Sequence, residues 1–319
     1  MTSPRRRVFA AAAFALAVPV GLAACSSSDS GTTTAASSTS TAAASSGACP
    51  TTPVNVVVSV DQWGDIASAL GGECAKVTTV LASSSVDPHD FEPSPADAAT
   101  FASAQLVIVN GADYDPWASK FAATSAPNAP VVDAGVVTKT AGGSNPHLWY
   151  NPQAVNAVAD AITAELDKLA PDAKSYFADQ RTAFTASEAP YDKVISAIKA
   201  GASGKTYAAT ETVFDYMATA VGLVDKTPPG YQAASANETD PSPGDLDAFR
   251  RALADHEINV LIYNTQTEGS VPQQIRSAAE AAGVPVVEVT ETVPPGTTSF
   301  ETWQVAQLNA LAKALGVAV

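Results

Sequence analysis

Two stretches far apart in the chain follow the same order. Glu92-Pro93-Ser94-Pro95-Ala96-Asp97 precedes a helical pattern and then the aliphatic run Leu106-Val107-Ile108-Val109, which stops at Asn110. Downstream, Asp240-Pro241-Ser242-Pro243-Gly244-Asp245 precedes a second helical pattern and then Val260-Leu261-Ile262-Tyr263, which stops at Asn264. In each, a serine hydroxyl is placed to cap a helix, a proline takes the first helical position and an acid falls in the first turn. The aliphatic runs lack alternation, so they read as strands buried on both faces of a parallel sheet. A chain that repeats cap, helix, buried strand and terminal asparagine is constrained to two similar halves.

The rest of the pattern fits that plan. Residues 54–60 read as a first strand, 62–70 as a helix closed by Gly71-Gly72, 76–82 as a second strand and 94–104 as a helix before the strand at 106–109. This rhythm predicts a doubly wound parallel sheet. The following stretch is less regular, with short strand candidates at 131–132 and 136–137 and a loop at 142–150. A helix over 152–169 is stopped by Pro171, and 172–200 reads as mostly helical, kinked or divided at Pro190. A second rhythm places strands at 206–210, 258–263 and 284–290, and helices at 213–220, 245–254, 271–282 and 300–315. The fold class is α/β: two similar lobes with parallel sheets flanked by helices, joined by one long helix. The expected division is 49–171 for the first lobe, 172–203 for the linking helix and 204–319 for the second lobe.

Residues 1–24 read as a targeting segment. Arg5, Arg6 and Arg7 precede an apolar stretch over 8–20 that is too short to span a bilayer. Leu22-Ala23-Ala24-Cys25 resembles the lipobox of bacterial lipoproteins, which implies cleavage before Cys25 and lipidation of that residue. A plain signal peptide with an incidental cysteine is the alternative. Residues 26–48 are almost wholly Ser, Thr, Ala and Gly, so 25–48 reads as a lipidated cysteine on a flexible tether. Cys49 and Cys74 then remain, and two cysteines in an exported chain point to a disulfide, against two isolated thiols or half of a metal site. The net charge of −15 argues against a nucleic-acid partner. An acidic balance fits cationic ligands, but simple solubility is the favoured explanation.

The chain contains no Gly-x-Ser-x-Gly, no His-Glu-x-x-His and no phosphate-cradling glycine loop. With three histidines in all, an imidazole-based catalytic triad has few candidates. A metal site is better supported. His89 and His147 each follow a proline, in Asp87-Pro88-His89 and Asn145-Pro146-His147, and the restricted backbone lowers the entropy lost when an ion fixes the ring. Glu211 follows the predicted strand ending at Thr210, and Glu291 the one ending at Thr290. Carboxyl ends of parallel strands are where α/β sheets hold ligands. His256, in Ala254-Asp255-His256-Glu257, falls at a helix end where a cation suits the dipole, and reads as structural.

Asp87-Pro88-His89-Asp90-Phe91-Glu92-Pro93-Ser94, Asn145-Pro146-His147-Leu148-Trp149 and the 240–264 segment resemble the metal-binding lipoproteins of bacterial ABC importers. These are the cluster A-I zinc/manganese solute-binding proteins, or solute-binding protein family 9. The resemblance runs from residue 52 to the C-terminus and implies two lobes joined by a rigid helix, a metal in the cleft and small lobe movements. It matches His89 and His147 to the two histidines of the family's first lobe, and Glu211 to the His or Glu after the second lobe's first strand. Glu291 matches the acid after the last strand, which is usually Asp, so this position departs from the family's pattern. The His-rich acidic loop of the zinc members is missing between the two histidines.

The implied function is capture of Zn²⁺ or Mn²⁺ and delivery to an ABC transporter permease, by a monomer exported and lipid-anchored at the outer face of the cell membrane. No catalytic residues are implied. The alternatives are a metal-dependent extracellular enzyme, or an adhesion or sensing lipoprotein with the same fold. Two imidazoles and two carboxylates suit zinc in four-coordination or manganese with more oxygen contacts. The Irving–Williams order favours zinc in raw affinity, so the transported and the tightest-bound metal need not coincide.

Overall fold

The computed structural model describes residues 47–82, 91–237, 239–267 and 269–319. His89, Cys25, the targeting segment and nearly all of the tether lie outside the described residues.

The first half builds one sheet from β1 (Val54–Val60), β2 (Ala75–Leu81), β3 (Leu106–Val109) and β4 (Val131–Asp133). The second half builds another from β5 (Thr206–Ala209), β6 (Val224–Asp225), β7 (Val260–Asn264) and β8 (Val286–Val289). The orders are β2-β1-β3-β4 and β6-β5-β7-β8, and every pairing is parallel. The same topology thus occurs twice, and the two aliphatic runs that end in asparagine are equivalent strands, β3 and β7. Both are buried at every residue, which parallel strands covered on two faces require.

The matching caps are also present. At α2 (Pro95–Phe101) Ser94 Oγ accepts from Asp97 N at 3.3 Å and the Asp97 carboxylate accepts from Ser94 N at 2.7 Å. At α10 (Pro243–Ala254) Ser242 Oγ accepts from Asp245 N at 3.2 Å. Such a cap stabilises a helix by about 1 kcal/mol.

The helices α1 (Asp61–Gly71), α5 (Pro152–Leu169), α11 (Ser270–Ala281) and α12 (Phe300–Ala314) lie within a residue of where periodicity put them. Three regions differ. Residues 136–137 are not strand but belong to α4 (Ala134–Thr138), because the Asp133 carboxylate accepts from Val136 N at 3.0 Å and starts a helical turn. The irregular stretch after Asn110 contains α3 (Pro116–Ser125), with proline at its first position. The helix expected at 213–220 is a short tight turn over Thr212–Phe214 running into α8 (Asp215–Ala220), and α9 (Pro229–Ala236) follows where none was expected.

The linking segment is α6 (Lys174–Ser187) followed by α7 (Ala189–Ala202). They divide at Glu188, just before Pro190, whose missing N–H interrupts the ladder. Glu188 keeps helical dihedrals, and Asp192 N still donates to Glu188 O at 2.9 Å, so the two helices continue one another in sequence with a local break.

One apolar core runs through both lobes. It includes Val58 and Ile108 beneath the first sheet, Ile262 and Val289 beneath the second, and Ile162, Phe177, Ile198 and Leu311 from α5, α6, α7 and α12. The turn Leu148–Tyr150 wedges into it: Tyr150 stacks edge-on with Phe214 at 5.4 Å and with Trp303 at 5.9 Å. Cys49 and Cys74 form a disulfide at the amino ends of β1 and β2.

Asp61, the first residue after β1, links the halves by accepting from Val293 N at 3.2 Å. Burial pushes its carboxyl up to about 7, against the hydrogen bond from Val293, and neighbouring Asp65 adds to the rise. An acid raised in this way stabilises the fold only while protonated. Its contribution is whole below about pH 3.8 and is lost as pH rises through about 7. Asp61→Asn keeps the acceptor without the charge. It is expected to stabilise the protein by about 2 kcal/mol at pH 8, the full effect being reduced by the solvent that reaches this residue. Urea unfolding at pH 8 and pH 4 checks this: the gain should nearly vanish at pH 4, and an equal gain at both would contradict it.

Candidate metal centre

The carboxyl ends of β3, β5, β7 and β8 carry the polar residues nearest the cleft. Thr210 and Glu211 follow β5, Thr290 and Glu291 follow β8, and Asn264 ends β7. In the first half, Asn110 follows β3, and His147 precedes the turn that wedges into the core. His147, Glu211 and Glu291 converge, with one ligand atom of each lying within 4.8 Å of the others. His147 and Glu291 are 2% and 1% exposed, so an ion held there would be withdrawn from bulk water. His89, the fourth residue singled out by its motif, lies outside the described residues. His256 is exposed in the left-handed conformation that ends α10 and does not belong to this group.

The orientation of His147 follows from its neighbour. Asn145 Nδ2 donates to Thr212 O in the second lobe at 2.7 Å, and Asn145 Oδ1 accepts from His147 N at 3.0 Å. With the amide fixed by both contacts, the 2.8 Å approach of His147 Nδ1 to Asn145 Oδ1 requires the proton on Nδ1. The neutral ring therefore carries its lone pair on Nε2, which lies 3.6 Å from Glu291 Oε2. Two ligands at 2.0–2.2 Å from a tetrahedral zinc ion lie about 3.4 Å apart, so this pair is already close to ligand spacing. The loop itself is held by Asn110, whose Nδ2 donates to Pro146 O at 2.9 Å while Oδ1 accepts from Trp63 Nε1 at 2.9 Å.

In the second lobe the equivalent asparagine organises the acids. Asn264 Nδ2 lies 2.6 Å from Glu211 Oε2 and 2.9 Å from Glu291 Oε1. Thr267 Oγ1 donates to the same oxygen of Glu211. Gln266 Oε1 accepts from Glu291 N at 2.7 Å and Thr292 N at 3.0 Å, which fixes the backbone that carries Glu291. Beside Glu211, a small cleft is bounded by Thr212, Asp215 and Gln232. Burial pushes the Asp215 carboxyl up to about 6, and the Tyr207 hydroxyl, donating at 2.9 Å, offsets some of that rise.

One contributor carried no sequence signal. Tyr114, from the first lobe, donates its hydroxyl to Glu291 Oε2 at 2.9 Å. Burial, reinforced by the Glu291 charge, pushes the phenol well up from its ordinary value, so the hydroxyl stays a donor. The preceding Gly111, Ala112 and Asp113 all have positive φ, at 68°, 52° and 65°. For Ala112 and Asp113 this costs about 1–3 kcal/mol each. At Gly111 a Cβ would also collide with the Asp133 carboxylate. The turn is held by Asp115, whose carboxylate accepts from Asn110 N at 2.7 Å and Gly111 N at 2.8 Å.

Comparison with known proteins agrees with this architecture. The family described as ZnuA, zinc-uptake complex component A, periplasmic, matches residues 56–314. The high-affinity zinc uptake system protein ZnuA of Bacillus subtilis is 25% identical over 217 residues, covering 62% of this chain and 67% of that protein. The manganese-binding lipoprotein MntA of Halalkalibacterium halodurans is 24% identical over 136 residues, covering 41% of this chain and 45% of that protein. Among solved structures, the SBP FpvC of Pseudomonas aeruginosa in complex with Mn²⁺ superposes with a TM-score of 0.69 at 20% identity, over 83% of this chain and 98% of that one. The laminin-binding protein of Streptococcus agalactiae superposes with a TM-score of 0.68 at 23% identity, over 82% of this chain and 99% of that one. These likenesses establish the two-lobe α/β fold, and the match over 56–314 establishes the lineage: this chain belongs to the ZnuA family of periplasmic zinc-uptake components.

Proposed function

We propose that this protein captures a divalent transition metal ion, zinc or manganese, between its lobes and delivers it to an ABC importer. The observation that carries the reading is the convergence of an imidazole and two carboxylates from both halves of the chain. His147, Glu211 and Glu291 are the proposed ligands. His89 is the fourth, on the grounds of its Asp-Pro-His motif between β2 and the cap of α2. Four protein donors complete a tetrahedral zinc shell, whereas catalytic zinc sites keep a position open for water, so binding and release rather than catalysis is the proposed role.

The other elements of the reading rest on sequence. Residues 1–24 are a signal peptide, Cys25 is lipidated, and 25–48 tethers the folded region to the outer face of the cell membrane. Residues 49–171 and 204–319 are the lobes, and 172–203 links them. The working form is a monomer that meets an ABC permease. Relatives named for zinc uptake and for manganese binding both support a transition-metal cargo.

Calorimetric titration of the metal-stripped chain with zinc alone and manganese alone tests the reading. One equivalent is expected to bind with submicromolar Kd, about −8 kcal/mol or tighter. Failure of both metals to bind would reject it.

A further inference from the structure

We infer that Tyr114 sets the metal preference of the proposed site, favouring zinc over manganese by restricting Glu291 to one-oxygen coordination. The inference rests on the proposed function and adds a specificity-determining residue to it. Glu291 turns Oε2 toward His147 Nε2, and the Tyr114 hydroxyl donates to that same oxygen from the opposite lobe. Asn264 holds the other oxygen, Oε1, at 2.9 Å. Presenting both oxygens to one ion would rotate the carboxylate against these two donors at once. A four-coordinate zinc ion needs one oxygen from each carboxylate, whereas manganese, with its preference for more oxygen ligands, gains most from the second.

Tyr114 has little room to follow such a rotation. Its ring lies edge-on to Trp149 at 5.0 Å and to His147 at 6.0 Å, and it is 6% exposed. Its backbone leaves a turn of three successive left-handed residues pinned by Asp115. Strained turns of this kind persist where the surrounding structure over-determines them, and they cluster at ligand clamps. Packing alone would be served equally by phenylalanine; what the strained turn places is the hydroxyl.

Tyr114→Phe removes that hydroxyl and keeps the ring. Zinc and manganese dissociation constants are measured for the wild type and the variant by chelator competition, with thermal melting of both metal-free proteins to compare their folds. The ratio of the manganese to the zinc constant is expected to fall at least tenfold in the variant, with manganese binding more tightly than in the wild type. An unchanged ratio overturns the inference while leaving the proposed function standing. A wild type that binds neither metal removes both. Independently of the variant, a crystal structure of the manganese-loaded wild type should show one Glu291 oxygen at bonding distance, and two at that distance would overturn the inference.

Discussion

Replacing His147 by alanine is expected to weaken zinc binding by roughly a hundredfold or more, about 3 kcal/mol. The imidazole is the one described nitrogen ligand in the group, and its lone pair is aimed by Asn145 at the spacing an ion requires. Its loss also leaves Glu211 and Glu291 to face the ion with a donor fewer, which favours hard, oxygen-preferring cations over zinc. Zinc affinity should therefore fall more than manganese affinity. Competition titrations of wild type and variant with each metal read this directly. Undiminished zinc affinity in a folded His147→Ala protein would show that the ion is held elsewhere. His147→Gln, which retains more of the buried volume, provides the check if the alanine variant is poorly folded.

Reducing the Cys49–Cys74 disulfide is expected to destabilise the protein by about 3 kcal/mol without changing metal affinity. The bridge closes a separation of 25 residues that contains β1 and α1. Chain-entropy estimates for a loop of that size give about 3 kcal/mol, since the cross-link restricts the unfolded chain. It ties the amino ends of two adjacent strands, at the opposite edge of the sheet from the metal-facing loops. Stability and binding should separate for that reason. Urea unfolding with and without reductant measures the first effect and calorimetry the second. A loss below 1 kcal/mol, or a tenfold change in affinity, would contradict the expectation.

The duplicated architecture was legible because its signals are local. Ser94 and Ser242 cap their helices through contacts three residues away, and β3 and β7 are continuous aliphatic runs. The strand-end positions of Glu211 and Glu291 could likewise be read from the pattern, and the structure brings both to His147. What could not be read was set by distant partners or, at residues 136–137, by a local cap competing with β-propensity. Asn145 owes its role to Thr212, 67 residues away, and Asn264 joins Glu211 to Glu291 across separations of 53 and 27 residues. Residues 136–137 are β-branched and favour a strand in isolation, yet the Asp133 carboxylate makes a helical turn the local solution. Tyr114 is aimed by Gly111, Ala112 and Asp113 in left-handed conformations; glycine and aspartate adopt that region readily, but alanine does not, so the run of three is not legible from residue type.

The contact between Asn145 and Thr212 ties ring chemistry to domain geometry. Asn145 steadies the imidazole while being steadied itself by Thr212, in the opposite lobe, and by the backbone N–H of His147. Withdrawal of that carbonyl would remove one of the two contacts that orient the amide, leaving the His147 N–H to hold Oδ1 beside Nδ1. A displacement just large enough to break the Asn145–Thr212 hydrogen bond would thus reach the neighbour of the proposed nitrogen ligand while leaving the apolar core that runs through both lobes packed.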